Sequence, residues 1–148
     1  MSLCTKISKA VASALNEREF EPKFTAVYSV KPGYELAELD TLRVIVVPKT
    51  VEIEKFSRSS MKYTVAVDIG VMQRIGTLSP EDAVEKLGEL VDEIAEFLSE
   101  AVLKDYDAAT FVGISNEPIY VPEYLTASRT FTSVLTVKYV LLGYTRVG

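Results

Sequence analysis

The sequence predicts a single α+β domain over residues 1–148, a mainly antiparallel sheet with two helices packed on it and a projecting β-hairpin. Three observations lead there. Runs of β-branched residues mark long strands, two segments carry apolar residues at helical spacing, and no regular strand-helix-strand repeat connects them. With 48% hydrophobic and 25% charged residues, a chain of 148 residues can bury a core of its own.

The first helix is expected from Thr5 to Asn16, where Ile7, Ala10, Val11, Ala14 and Leu15 recur at helical spacing and Lys6, Lys9, Glu17 and Arg18 fall mostly on the other side. Pro22 ends that element. Phe24 to Val30 reads as a strand closing at the Lys31-Pro32-Gly33 turn, and Tyr34 to Asp40 as an acidic surface loop. Leu42 to Val47 is apolar on both sides, the mark of a central strand. Pro48 cannot donate to a ladder, so a bend or bulge is expected before a further strand at Val51 to Phe56.

From Tyr63 to Val71 apolar residues alternate with Thr64, Ala66, Asp68 and Gly70, the period of a half-buried strand. Strands 51–56 and 61–73 then form a hairpin with Ser57 to Ser60 at its tip. At about 3.3 Å per residue the longer arm reaches about 40 Å, enough to project from the domain.

The second helix is expected from Pro80 to Val102. Ser79 is its N-cap, Pro80 takes the first helical position, and Glu81 and Asp82 place negative charge in the first turn. Val84, Leu87, Val91, Ile94 and Leu98 form its apolar seam, broadened by Leu90, Phe97 and Ala101. Gly88, costly in mid-helix, is read as permitting close approach of a neighbour. Thr110 to Ser115 and Thr130 to Tyr144 supply the last two strands, joined by an ordered loop.

Composition narrows the function. There are no histidines and one cysteine, which removes Ser-His-Asp and Cys-His nucleophile arrangements and thiolate metal sites. Gly70, Gly76 and Gly113 stand alone, better suited to strand bulges or turns than to a phosphate loop. Asp105 with Asp107, or Glu117 with Glu123, could be proposed as acid and base or as oxygen ligands, but they fall in predicted polar loops and read as solvated. No catalytic, metal or cofactor residues are therefore assigned.

The longest apolar runs fall far short of a membrane span of roughly 18 residues. Charges flank Val11 to Leu15, so no export signal is expected, and the lone Cys4 suits a reducing cytosol. The net charge of −5 argues against sequence-specific nucleic-acid binding. Charge is uneven, however. Residues 43–74 hold six basic and three acidic residues, whereas 79–102 hold eight acidic residues and Lys86 alone. Such asymmetry can steer one copy onto another or mark two solvated faces.

The last strand raises the question of a partner. Phe131, Leu135, Val137, Tyr139 and Leu141 share one parity, yet Val134, Val140 and Leu142 lie on the other among Thr132, Thr136 and Lys138. A sheet covered on one side should be polar on its open face. Either helix 5–16 covers that second face or another subunit does.

"TLRVIVVPKTVEIEKFSRSSMKYTVAVDIGVMQRI", the acidic amphipathic helix and "FVGISNEPIYVPEYLTASRTFTSVLTVKYVLL" resemble the small tail terminator, or tail completion, proteins of tailed bacteriophages and prophages. The likeness runs from about Leu42 to Leu142, through the Arg-Val-Ile-Val-Val-Pro strand, the Asn-Glu-Pro-Ile-Tyr turn and the Phe-Thr-Ser-Val-Leu strand. It implies a non-enzymatic structural protein of the virion tail, made in the host cytoplasm. Such proteins form homo-oligomeric rings, commonly hexamers, at the head-proximal end of the tail. There they stop tube polymerisation, contacting the major tail tube protein and the head connector.

On charge and pattern, subunit contacts are expected on the basic hairpin (Lys55, Arg58, Lys62), on the acidic side of the second helix (Glu85, Glu89, Asp92, Glu96), and on the 117–134 region through Tyr124, Arg129 and Val134. Tyr120 and Tyr124 could instead pin their loop to the domain's own core. Two other roles compete: a different head-tail joining, neck or tail tube protein, and a small enzyme or ligand-binding α+β module.

Overall fold

The alternation at Val65, Val67, Ile69 and Val71 becomes the middle strand of the sheet. In the computed structural model, which describes residues 1–31 and 39–144, five strands lie in the order β1-β2-β3-β5-β4. They are β1 (Ala26–Tyr28), β2 (Arg43–Lys55), β3 (Ser60–Arg74), β4 (Thr110–Asn116) and β5 (Thr130–Tyr144). β3 pairs antiparallel with β2 and β5, and β4 antiparallel with β5, but β1 runs parallel to β2. The fold is thus α+β with a mixed, mostly antiparallel sheet.

The expected break at Pro48 is a bulge. Register shifts between Pro48 and Thr50, and β2 continues as one strand instead of ending there. The strand expected over 24–30 shrinks to three residues, with Asn16 holding its first: Asn16 Nδ2 donates to the Ala26 carbonyl at 2.9 Å and Asn16 Oδ1 accepts from its N–H at 2.7 Å. The Pro32-Gly33 turn and residues 34–38 of the acidic loop lie outside the described residues. Leu39, at the loop's end, is buried.

Helices α1 (Leu3–Glu17) and α2 (Pro80–Glu100) start on serine caps, Ser2 accepting from the Thr5 N–H and Ser79 from the Asp82 N–H. Both pack on the same face of the sheet. Ile7, Val11 and Leu15 of α1 and Leu87, Leu90, Ile94 and Leu98 of α2 share one core with Val44, Val46, Val65, Val67, Ile69, Leu135 and Val137. The alternative in which helix 5–16 shelters the second face is therefore overturned. Beyond α1, Phe20 packs edge-on to Phe97 of α2 with ring centroids 5.8 Å apart, and Arg18 stacks 4.5 Å over Phe20, tying α1 beside α2.

A third α-helix, α3 (Pro122–Ala127), occupies the segment read as loop, so among the described residues the α-helices number three and not two. Proline at its first position and burial of Leu125 account for it. Gly70 also departs from expectation. It sits inside the continuous ladder opposite Ile45 and Val134, and a Cβ there would lie 3.2 Å from Ile45 Cγ1. Gly88 shows the reverse: among the described residues nothing outside its own helix backbone lies within 4 Å of a Cβ at that position, so no close approach there requires glycine.

Gly88→Ala is accordingly expected to raise the unfolding free energy by about 0.5–1 kcal/mol, measured from urea midpoints; a lower midpoint would contradict open space there. Ile94 is fully buried, and Ile94→Asp is expected to abolish cooperative thermal unfolding. A normal melting curve would mean that α2 does not bury this side.

Candidate assembly interface

Beyond the bulge, β2 changes character. Val51 and Ile53 stand opposite Val65 and Tyr63 on the side of the sheet that carries the helices, yet they are 38% and 57% exposed. Phe56, entering the turn to β3, is 61% exposed. Large apolar side chains crowded at the end of a sheet and open to water mark a contact surface more than scattered exposure does.

Lys55 and Arg58 are exposed beside Phe56, and among the described residues no carboxylate pairs with either. Lys62 differs: it is half-buried, and its Nζ lies 3.7 Å from Glu54 Oε1 directly across the ladder. The hairpin's positive field therefore comes mainly from its turn. Glu85, Glu89, Asp92 and Glu96 are all exposed along α2. The structure gathers the hairpin cations at one end of the sheet and the carboxylates on the outer side of α2; they do not meet within one chain.

The region 117–134 is divided. Tyr124 is 51% exposed and Tyr120 is exposed as well, so neither pins the segment to the core; Leu125 does. Arg129 serves its own chain. Its Nε and one terminal nitrogen donate to the Gly76 carbonyl at 3.2 and 2.9 Å, and that nitrogen also donates to the Leu78 carbonyl at 2.8 Å. The Arg129 carbonyl accepts from the Ile75 N–H at 2.9 Å, with Arg129 held at φ 48°. It clamps the turn from β3 into α2 instead of standing ready for a partner. Val134 is half-buried on the second face opposite Gly70. Its N–H donates to the Pro118 carbonyl, and its carbonyl accepts from the Glu117 N–H and from Asn116 Nδ2.

That second face has three zones. Leu39, Ile45 and Met72 form a small buried cluster against Val47 at one end. In the middle, Thr136 Oγ1 donates to Asp68 Oδ1 at 2.6 Å, and Lys49, at the bulge, reaches the same oxygen at 3.5 Å. Toward the hairpin, Val112 and Leu142 are exposed beside half-buried Val140. The polar trio could have been read from Asp68 standing among small residues in the alternation; its partners could not.

Asp105, Asp107, Glu117 and Glu123 are exposed, and among the described residues no three His, Cys, Asp or Glu side chains converge. No described helix is long and apolar enough to cross a membrane. Tyr139 is buried in the core, its ring edge-on to Phe111, and burial pushes its phenol well above the usual tyrosine range. Its hydroxyl has no partner among the described residues.

No family model matches the chain, and no curated protein does. Among solved structures, a protein similar over 97% of this chain and 93% of its own, at 14% identity, has a TM-score of 0.43, a likeness that carries no functional argument.

Arg129→Ala is expected to lower stability by about 1 kcal/mol, since three exposed charge-assisted hydrogen bonds to carbonyls are lost. Urea unfolding checks this, and an unchanged midpoint would remove the clamp.

Proposed function

We propose that this protein is a structural component of virion assembly of the tail terminator kind: copies close into a ring at the head-proximal end of a phage tail, stop tube polymerisation and join the head. The observation that carries this reading is the exposed apolar end of the sheet, Val51, Ile53 and Phe56, beside Lys55 and Arg58, cations with no carboxylate partner among the described residues. The β2–β3 hairpin projects past the helix layer, and the next copy supplies the cover. Contact between two different patches is heterologous, and it closes into a ring where the rotation fits. The carboxylates on α2 support such a contact by charge.

The resemblance of the sequence to tail terminators adds the place in the particle. A different head-tail joining or neck protein would use the same kind of contact; capping of tail tubes at one end distinguishes the terminator.

Sedimentation velocity over a concentration series tests the assembly. Oligomers of fixed size are expected, weakening as salt rises. Lys55→Glu with Arg58→Glu is expected to raise the dissociation midpoint about tenfold or more and to remove that salt dependence. Unchanged assembly would take the hairpin out of the interface.

A further inference from the structure

The start of α2 and the segment before α3 enclose an open groove of about 480 Å3. Its apolar wall is Val84, Tyr120 and Leu125, and its rim is Glu81, Asp82 and Glu85. Two carboxylates in a first turn are accounted for by the helix dipole, whose N-terminal charge is about half a unit and fades within that turn. Three carboxylates exceed it, and Glu85 stands beyond that turn. The rim is therefore net negative around an apolar wall, the complement of an apolar residue flanked by cations.

One described segment of this chain has that chemistry: the hairpin turn, with Phe56 exposed between Lys55 and Arg58. We propose that Phe56 of one copy seats against Val84, Tyr120 and Leu125 of the next, with Lys55 and Arg58 on the carboxylate rim. The inference rests on the assembly reading above and names its contact. A chain cannot make this contact with itself. The turn precedes Ser60, the groove follows Arg74, and β3 separates them by about 45 Å at the usual strand rise. Knob and groove at opposite ends of one strand demand a second copy, joined head to tail.

Crosslinking tests it in the full chain with Cys4→Ser. A Ser57→Cys variant is mixed with a size-tagged Ile119→Cys variant and treated with a short bis-maleimide; both positions are exposed and leave Phe56, Val84, Tyr120 and Leu125 in place, and circular dichroism verifies folding. The mixture is expected to give at least fivefold more tagged-untagged dimer than a control mixture in which Ser13→Cys, exposed on α1, replaces Ile119→Cys. No excess over that control overturns the seating of Phe56. Sedimentation of the Cys4→Ser parent then separates the two failures: a persisting oligomer leaves the ring reading standing on other contacts, and a monomer at every concentration removes both.

Discussion

A length mismatch between strands and helices governs this molecule. β3 has 15 residues and spans about 45 Å, whereas the 21 residues of α2 span about 32 Å and the 15 of α1 about 22 Å. Neither helix alone can cover a strand of that length even if aligned along it. The strands stay paired regardless, since the β3–β5 ladder runs from Ser60 to Arg74 and satisfies the backbone along that whole length. Toward the hairpin turn, Val51 and Ile53 of β2 face water.

The second face shows how the chain limits the same problem where it can. Leu39, Ile45 and Met72 bury one another, and Asp68, Thr136 and Lys49 fill the centre with groups that water also satisfies. Among the described residues nothing comparable protects the hairpin end. Its charged residues include Glu52 and Glu54 opposite Thr64 and Lys62, so one side of the ladder is polar while Val51 and Ile53 hold the other. Charged residues on one side of a strand end disfavour indiscriminate stacking.

Much of the fold could be read along the chain because the informative signals were local. β5 spans Thr130 to Tyr144 as its alternation indicates, and α2 begins at Ser79-Pro80 because cap, proline and acids coincide there. What stayed hidden depended on distance. Which face α1 takes is decided by Asn16 on Ala26 and by Phe20 against Phe97, contacts that no period encodes. α3 is too short to show one, and a single buried leucine anchors it. Arg129 looked like a surface anchor because its acceptors, the carbonyls of Gly76 and Leu78, are more than fifty residues away. The hairpin's basic character was visible in the sequence, but the neutralising Glu54–Lys62 pair required the register.

The account stands on burial of the bare sheet end between identical copies. Negative-stain imaging of the purified protein, alone and mixed with tail tubes, tests it most directly. Closed rings of uniform diameter, free or seated at one end of each tube, are the predicted result. Single particles of monomer size in both preparations, with tube ends unoccupied, would contradict it.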